Sequence, residues 1–264
     1  MKSIVSGFLV AFSLYSAIPV PQVNWEKKTM RWALSFLPLV GLTVGAAEWL
    51  WFMFCTHFGA SVVLYAILAA LLPLVISGGI HLDGLCDTCD ALCSFGDREK
   101  RLMILKDSHV GAFGPLWLMA FLMAEAACFA QIYETPTFLP VMLIGFAVAR
   151  TLGAMKIVTM QCAKDTGLAH LFAENSDKKA VAVTLRVEFF VYGIILGASL
   201  LASRGIGTMP VICVVLVLVL TWYLLHKRMC MRIFGGNTGD LAGFFISTTE
   251  LLCIAAAAFG GLIG

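Results

Sequence analysis

Long apolar runs, each close to 20 residues and almost free of charge, recur along the whole chain. A helix needs about 20 apolar residues to cross the hydrocarbon core of a bilayer. Because no water reaches that core, backbone polar groups there must be paired within helices or within a closed barrel. The runs are continuous and do not alternate between polar and apolar residues, which favours helices over barrel strands. We therefore expect an all-α, polytopic integral membrane helical bundle.

The composition agrees with this class. Hydrophobic residues make up 60% of the chain and charged residues 13%, whereas soluble domains carry about 45–50% and about 25%. A soluble enzyme and a disordered chain are thereby excluded as default interpretations. The formal charge of +2 is too small to indicate a polyanionic partner, so no nucleic acid is expected to bind.

Eight segments are candidates for membrane-spanning helices. They are 3–20, 32–55, 60–80, 112–133, 138–158, 187–203, 208–225 and 241–263. The first and the sixth are short, so seven spans are the alternative to eight. Residues 1–264 show no repeat and no appended soluble domain, and we interpret them as a single integral membrane domain. Gly41 and Gly45 are either a small-residue pair for close helix packing or two incidental glycines.

The basic residues predict an orientation. Of the 18 lysines and arginines, 15 lie in four alternate segments between spans: 21–31, 81–110, 156–186 and 226–240. By the positive-inside rule these four loops face the cytoplasm. Lys2 is an exception, because it would lie outside if 3–20 spanned the membrane. Polar loops gathered on one face suit an enzyme with soluble substrates, whereas a transporter more often carries ionisable groups within its spans.

One segment at the end of an apolar run carries three aspartates. Asp83, Asp87 and Asp90 are spaced i, i+4 and i+7, so on a helix they fall within roughly 60° of one another. Three carboxylates on one stripe repel each other, and a divalent cation removes that cost. Mg²⁺ usually takes one or two carboxylates together with water and substrate phosphates. The spacing predicts a Mg²⁺–diphosphate site at the membrane surface; the alternative is a solvated acidic helix start.

Three cysteines lie beside the aspartate stripe. Cys86, Cys89 and Cys93, together with His81, are residue types that bind zinc or an iron–sulfur cluster. Thiolate ligands usually come in CxxC pairs on turns, and no second pair follows in this chain. Small packing residues are therefore the favoured interpretation of these cysteines.

Basic residues follow the aspartates. Arg98, Arg101 and Lys106, with Ser108 close by, are candidates to bind phosphate. The alternative is that the basic residues here are topology signals facing lipid headgroups. The later loop Lys164–Phe172 is a further candidate for substrate binding, with a plain surface loop as the stronger alternative.

A glycine-rich segment precedes the last span. It contains Gly235, Gly236, Asn237, Thr238, Gly239 and Asp240. Such residues favour a tight turn with several free backbone N–H groups, which at a helix N-terminus predicts a phosphate-binding site. A plain loop leading into a helix is the alternative, with Asp240 as an N-cap.

Four ionisable residues fall inside apolar runs. Glu250 lies ten residues after Asp240, where a charge is costly and marks a candidate functional residue. Glu48 and Glu125 are also intramembrane carboxylates, and Arg150 is a partner for one of them or a phosphate ligand. A structural ion pair is the alternative.

Taken in order, these blocks resemble the cobalamin synthase family, the adenosylcobinamide-GDP ribazoletransferases. The resemblance rests on Ile18–Pro21, Phe36–Gly41, Gly79–Ala91, Asp97–Leu102, Lys106–Gly114 and Gly235–Asp240 with Glu250. It covers essentially the whole chain. Cys86 and Cys89 stand where the family tends to have alanine, and His109 stands where arginine is expected.

The resemblance implies an activity. The family joins adenosylcobinamide-GDP to α-ribazole or its 5′-phosphate, and it releases GMP with adenosylcobalamin or its 5′-phosphate. This is a late step of cobalamin biosynthesis at the cell inner membrane, and it depends on Mg²⁺. The expected partners are these substrates and membrane lipid. A homo-oligomer, or association with other cobalamin-synthesis enzymes, is a further expectation.

Residue roles follow from the resemblance together with the chemistry of phosphoryl transfer. Asp83, Asp87 and Asp90 are predicted to hold Mg²⁺ on the diphosphate. Lys106 or a cytoplasmic arginine would offset charge on the leaving GMP, and Asp87 or Asp240 would accept the proton of the attacking hydroxyl. The predicted binding residues are Arg98, Arg101, Ser108, Gly235, Gly236, Thr238, Gly239 and Glu250.

Two other classes compete with this interpretation. The first is another membrane transferase that uses a diphosphate, of the CDP-alcohol phosphotransferase or prenyltransferase type. The former usually has an Ala-Arg after its Asp-Gly, and none stands at the required place after Asp83-Gly84. The latter usually has two Asp-rich motifs, and the second polar cluster here has one Asp. The second is a cation or corrinoid transporter, which would carry charged groups in paired, broken helices at mid-membrane.

Overall fold

The computed structural model describes residues 2–107 and 109–263, and these residues form a helical bundle. Within them there is no strand, only an isolated parallel bridge between Cys162 and Asn237. The helices in chain order are α1 (Lys2–Tyr15), α2 (Lys27–Met30), α3 (Leu37–Phe58), α4 (Val62–Ser77), α5 (Ile80–Cys93), α6 (Arg98–Ile104), α7 (Phe113–Glu134), α8 (Leu139–Thr159), α9 (Leu168–Asn175), α10 (Lys178–Arg204), α11 (Met209–Met229) and α12 (Gly239–Ile263). A π-helical turn, Cys230–Phe234, follows α11.

Six helical stretches of the described chain are long and apolar enough to cross a membrane. They are Lys27–Phe58, Phe113–Glu134, Pro136–Thr159, Lys178–Ala202, Met209–Phe234 and Gly239–Leu262. The pair α4 and α5 raises the count to seven if it forms one broken span. The protein is thus a multi-pass membrane protein, which confirms the predicted fold class, and its described residues hold six or seven candidate spans rather than eight.

The predicted first span, 3–20, is the one that the structure shortens. Helix α1 has 14 residues, and at about 1.5 Å per residue it cannot cross a core about 30 Å thick. Pro19 and Pro21 follow soon after its end and cannot continue a helix. The predicted span 60–80 is also interrupted, because Gly78 and Gly79 have φ values of +64° and +79°.

Helices α3 and α8 lie in close contact. A Cβ atom added to Gly41 or Gly45 would collide with the backbone of Phe146 or Leu143 on α8. Only a residue without a side chain allows two backbones to approach this far. The first of the two interpretations of this glycine pair, close helix packing, is therefore confirmed.

Helices α10 and α11 expose large apolar side chains. Phe190 and Ile194 are 69% and 70% exposed, and Val217 and Leu224 are 62% and 64% exposed. Faces of this kind are stable against lipid and costly in water. They support the membrane assignment independently of helix length.

Three of the predicted polar loops meet at one end of the bundle. Lys164 Nζ donates a hydrogen bond to the carbonyl oxygen of Leu102 at 2.6 Å. The N–H of Ala163 donates to the oxygen of Asn237 at 2.9 Å, and the N–H of Asn237 donates to the oxygen of Gln161 at 2.9 Å. The loops after α5, α8 and α11 therefore form one polar surface.

Candidate functional site

The acidic helix α5 lies directly against the start of α12. The two φ > 0 glycines at Gly78 and Gly79 turn α5 by 99° from α4. A Cβ atom on Gly84 would lie 2.7 Å from the carbonyl oxygen of Asp240, and one on Gly243 would lie 3.1 Å from that of His81. Because both contact positions are glycines, the two helix backbones touch, and the aspartates of α5 come beside Asp240.

Two adjoining cavities open at this contact, and together we call them the polar cleft. They share Leu168, Ala169, Gly239 and Asp240. The larger, about 270 Å³, is also lined by Lys106, Lys164, Thr166, His170, Asn237 and Thr238, among others. The smaller, about 130 Å³, is also lined by Tyr15, His81 and Asp83, among others. The cleft therefore joins acidic, basic and amide side chains from four separate parts of the chain.

Three carboxylates belong to this region. Asp83 is exposed, whereas Asp87 and Asp240 are half-buried. Asp87 lies close enough to Asp83 and Asp240 to interact electrostatically with both. No hydrogen bond or ion pair occupies Asp87 in the described chain. Asp240 accepts one hydrogen bond, from the hydroxyl of Thr238 at 3.4 Å, so these carboxylates keep oxygen atoms that can accept a cation or a proton.

Asp90 differs from the other two aspartates of α5. Its Oδ2 accepts a hydrogen bond from the N–H of Gly111 at 2.9 Å. Its Oδ1 accepts bonds from the N–H groups of Phe113 at 3.0 Å and Gly114 at 2.9 Å. A carboxylate offers about four lone-pair positions, and three are already used here. Asp90 thus ties α5 to the start of α7, a role that the predicted metal-ligand assignment did not foresee.

Two lysines supply positive charge to the cleft. Lys106 is exposed and Lys164 is half-buried, and both line the larger cavity. Burial and the neighbouring Lys106 lower the pKa of Lys164, while Asp240 opposes that change. Nearby, hydrogen bonds from the backbone and side chain of His109 lower the pKa of Asp107.

The two predicted phosphate-binding arginines have different surroundings. Arg98 is exposed and its guanidinium lies against Gly235, where an added Cβ atom would collide with it. Arg101 donates to the carbonyl oxygens of Gly96 at 2.7 Å and Leu92 at 3.4 Å. Arg98 is free to meet an anion, whereas Arg101 holds the loop between α5 and α6.

The glycine-rich turn is more occupied than its sequence predicted. The N–H of Gly236 donates to Cys230, and that of Asn237 donates to Gln161, so neither is free for a phosphate. Gly235 has φ of +74°, which favours glycine. The Oγ1 of Thr238 accepts the N–H of Leu241 at 3.2 Å, so Thr238 rather than Asp240 caps α12. Within this segment, Gly239 and Asp240 line both cavities, and Asn237 and Thr238 line the larger one.

Several predicted site residues line neither cavity of the cleft. They are Asp87, Asp90, Arg98, Arg101, Gly235, Gly236 and Glu250. Glu250 is buried on α12 and forms an ion pair with Arg150, so it lines neither cavity. Ser108 falls outside the described residues. The remaining predicted binding residues stay predictions.

Sequence reasoning did not select three residues that line the cleft. Asn237 is 3% exposed, and neither of its amide atoms has a hydrogen-bond partner, although it lines the larger cavity. Lys164 belongs to a loop that sequence placed only as a further candidate. His81 has an unpartnered Nε2 and lines the smaller cavity. The sequence signal that could have identified Asn237 was its position within the glycine-rich segment.

The donor set fits a magnesium ion only in part. Among the described residues no three His, Cys, Asp or Glu side chains are arranged to hold a metal together. Mg²⁺ usually needs only one or two carboxylates, because water and substrate phosphates complete its shell. Asp83 and Asp240 provide hard oxygen atoms of that kind in the lining of the smaller cavity, and Asp87 lies near both. The residues present therefore fit Mg²⁺ bound together with a phosphorylated ligand.

Fold and cleft together define a polytopic helical membrane protein with a polar site at one end of its bundle. The chain belongs to the cobalamin-5-phosphate synthase family, whose sequence profile matches residues 7–258. This is a family of enzymes, so the site is a candidate active site.

Named relatives agree with the family. The chain is 34% identical to the adenosylcobinamide-GDP ribazoletransferase of Lachnoclostridium phytofermentans over 94% of its own length and 91% of the relative. It is 33% identical to the protein of the same name from Geotalea daltonii over 96% of its length and 98% of the relative. A Clostridium botulinum protein of that name is 29% identical over 97% and 98%. No solved structure matches the chain.

Proposed function

We propose that this protein transfers the phospho-cobinamide part of adenosylcobinamide-GDP to α-ribazole or α-ribazole 5′-phosphate and releases GMP. The family and the printed names of the relatives support this reaction. One structural observation supports the polar cleft as the place where this reaction occurs. The glycine contact between α5 and α12 brings Asp83 and Asp87 close to Asp240. Asp240 lines both cavities of the polar cleft, Asp83 lines the smaller one, and Lys106 and Lys164 line the larger one.

The polar cleft has the charges that a diphosphate requires. Lys106 and Lys164 can each donate to phosphate oxygens, and the amide of Asn237 has free hydrogen-bonding capacity in the same cavity. Asp83 and Asp87 would hold Mg²⁺, with Asp240 completing the acidic side. When bound, Mg²⁺ would neutralise negative charge on the diphosphate and so favour attack at phosphorus.

The reaction needs a proton acceptor and a stabilised leaving group. The ribazole hydroxyl oxygen attacks the cobinamide-linked phosphorus, and the bond from that phosphorus to the GMP oxygen breaks. Asp240 or Asp87 accepts the hydroxyl proton, because both are half-buried and neither forms an ion pair among the described residues. Lys106 and Lys164 offset the charge that develops on GMP.

We place the polar cleft on the cytoplasmic side of the inner membrane. The predicted segments 81–110, 156–186 and 226–240, which contribute to it, hold 12 of the 18 lysines and arginines, and the positive-inside rule places such segments in the cytoplasm. GMP is released into the compartment that supplies soluble nucleotides under this arrangement. The apolar faces of α10 and α11 contact lipid, and self-association or association with other cobalamin-synthesis enzymes would use these same exposed faces.

The decisive experiment measures GMP. Purified protein in lipid nanodiscs is incubated with adenosylcobinamide-GDP, α-ribazole and Mg²⁺, and we expect GMP and adenosylcobalamin in equal amounts. Chelation of Mg²⁺ should stop the reaction. Asp87→Asn should lower turnover by about 10²-fold or more while the protein stays folded, because it removes a charge needed at the reacting phosphate.

A matched control is Glu134→Gln. Glu134 is exposed at the end of α7, away from the residues that line the cleft, so its variant should keep wild-type turnover. Wild-type turnover in Asp87→Asn would remove Asp87 from the site. Failure of the wild-type protein to form GMP would reject the proposed reaction and favour another diphosphate-dependent transferase or a transporter.

A further inference from the structure

Four helices contribute one side chain each to a group of buried ionisable residues; Lys156 of α8 is also fully buried, but its Nζ donates to the carbonyl oxygen of Tyr223. The four are Glu48 on α3, Glu125 on α7, Arg150 on α8 and Glu250 on α12, with exposures of 0%, 3%, 0% and 4%. We call them the intramembrane charge cluster. Their helices all belong to the membrane-spanning set, so water does not solvate these groups. A charge in that setting is expensive and needs a partner.

Partners are available for only part of the cluster. Arg150 Nη1 forms an ion pair with Glu250 Oε1 and donates to the carbonyl oxygen of Phe146 at 3.1 Å. Both carboxylate oxygens of Glu48 lack a hydrogen-bond partner, as do Nε and Nη2 of Arg150. Glu48 lies near enough to Glu125 and Glu250 to interact electrostatically with both.

The groups that face the cluster from neighbouring elements do not supply a second cation to the carboxylates. Tyr65 on α4 is close to Glu48, and its hydroxyl is also unpartnered. Cys128 is near Glu125, and Cys253 is near Glu250. His81 on α5 faces Arg150. In the described part of the chain, Arg150 is the one cation in an ion pair with any of these carboxylates.

The charges therefore do not balance if every group is ionised. Three carboxylates and one guanidinium sum to −2, and the bundle interior cannot sustain that excess. A divalent metal ion is disfavoured here, because side chains that are 0–4% exposed leave no water or phosphate to complete its shell, and no three described carboxylate, imidazole or thiol groups are arranged to share one. A proton needs only one carboxylate oxygen and no coordination shell, so it is the cation that fits.

We propose that the intramembrane charge cluster is a proton-binding site, in which Glu48 and Glu125 are held as neutral carboxylic acids while Glu250 stays ionised against Arg150. Glu250 is assigned the ionised form because, among the three carboxylates of the cluster, it alone forms an ion pair with the guanidinium of Arg150. A neutral acid can donate as well as accept a hydrogen bond, and the unpartnered hydroxyl of Tyr65 lies near Glu48. This inference is independent of the proposed reaction.

The test follows the pH dependence of stability. Unfolded glutamate ionises above about pH 4.3. A carboxyl that keeps its proton in the folded state therefore makes folding take up a proton, and stability falls as pH rises. Each such proton changes the folding equilibrium constant by about tenfold per pH unit. Glu48→Gln mimics the neutral acid, so its unfolding midpoint between pH 6 and 8 should fall less steeply than that of wild type and exceed it at pH 8.

Glu134→Gln serves as the exposed control and should leave the pH slope unchanged. A Glu48→Gln variant that is less stable than wild type at every pH would overturn the proposal, because it would show that the ionised form is the favoured one. A midpoint that rises with NaCl but not with choline chloride, and loses that response in Glu48→Gln, would instead assign a sodium ion.

If Glu48→Gln does not fold, infrared spectroscopy of the wild-type protein tests the proposal instead, because it detects protonated carboxylic acids directly. Protonated carboxylic acids absorb in a carbonyl region separate from carboxylates, and buried ones exchange slowly with deuterium. We expect such a band at pH 7.5 in wild type and its weakening in Glu125→Gln. Its absence from wild type would overturn the proposal.

Discussion

Helix α12 carries one carboxylate into each of two very different regions, Asp240 into the polar cleft and Glu250 into the intramembrane charge cluster. In the cleft, acidic and basic side chains surround cavities of about 270 and 130 Å³, and Asp83 is exposed. In the cluster, Glu48 is fully buried and Arg150 contacts Glu250 directly. The same chemical group is therefore open to a hydrated ligand in one region and closed to everything but a proton in the other.

This difference teaches that the surroundings of a carboxylate decide its role. Asp240 lines both cavities of the cleft, the larger of them together with two lysines, and under the proposed function it meets a phosphorylated substrate with Asp87 close by. Enclosure leaves Glu48 and Glu125 only a change in protonation to remove their charge. Asp90 shows a third outcome, because three backbone N–H groups satisfy its charge and make it a structural link.

The largest effect should come from breaking the buried ion pair. Arg150→Met leaves Glu250 without its partner in an apolar bundle, and we expect a loss of about 3–5 kcal/mol in unfolding free energy. The double variant Arg150→Met with Glu250→Gln should recover much of that loss, because no unpaired charge remains. Denaturant titration of the protein in mixed micelles measures both.

The exposed pair Arg31–Asp177 is the matched control for that prediction. Its nitrogen and oxygen are 2.6 Å apart, but the two side chains are 54% and 30% exposed. Solvent screens such a pair, so Arg31→Met should not shift the unfolding midpoint measurably. Equal losses for the two arginine variants would contradict the distinction between enclosed and open charges.

A smaller effect is expected at Asp90. Asp90→Asn places an amide group against backbone N–H donors of Gly111, Phe113 and Gly114, and should cost about 2–3 kcal/mol. The unfolding midpoint in the same micelles measures this. Asp87→Asn, on the same helix, should leave stability unchanged and reduce GMP release instead. If Asp90→Asn is as stable as wild type but inactive, Asp90 belongs with the metal ligands as the sequence predicted.

The smallest effect is expected in the glycine-rich turn. Gly235→Ala forces a side chain into a left-handed conformation at a cost of about 1–2 kcal/mol and pushes the guanidinium of Arg98 aside. We expect a modest loss of stability and a higher KM for adenosylcobinamide-GDP. Gly239→Ala is the control for stability, because a Cβ atom there meets nothing within 4 Å. An unchanged KM in Gly235→Ala would remove Arg98 from the binding surface.

Much of the fold followed from the chain alone. Apolar length predicted membrane helices, and the structure confirms six of the eight predicted spans as long apolar helices. The predicted span 60–80 is interrupted at Gly78 and Gly79, so α4 reaches spanning length only together with α5. Helix α1 was overestimated because composition continued to Val20 while the helix ends at Tyr15. The glycines at 41 and 45 were ambiguous in sequence, since close packing needs a partner surface that sequence does not reveal.

The candidate site was foreseen less completely. The spacing of Asp83, Asp87 and Asp90 placed them on one helix stripe, but spacing cannot show which carboxylates other segments will occupy. Asp90 meets an amide cluster more than 20 residues away in sequence, and Asn237 faces a cavity formed partly by the loop after α8. Such contacts form between segments that are distant in the sequence, so local sequence patterns cannot predict them.

By itself, the sequence determined that this protein lies in a membrane, because an unbroken apolar run long enough to span a bilayer as a helix is stable only in lipid. It also determined which residue types could carry the chemistry. Only the tertiary structure decided which carboxylates face a cavity, which face a backbone and which face one another. The physical reason is that a charge takes its role from the groups and the space around it, and helices far apart in the chain supply both.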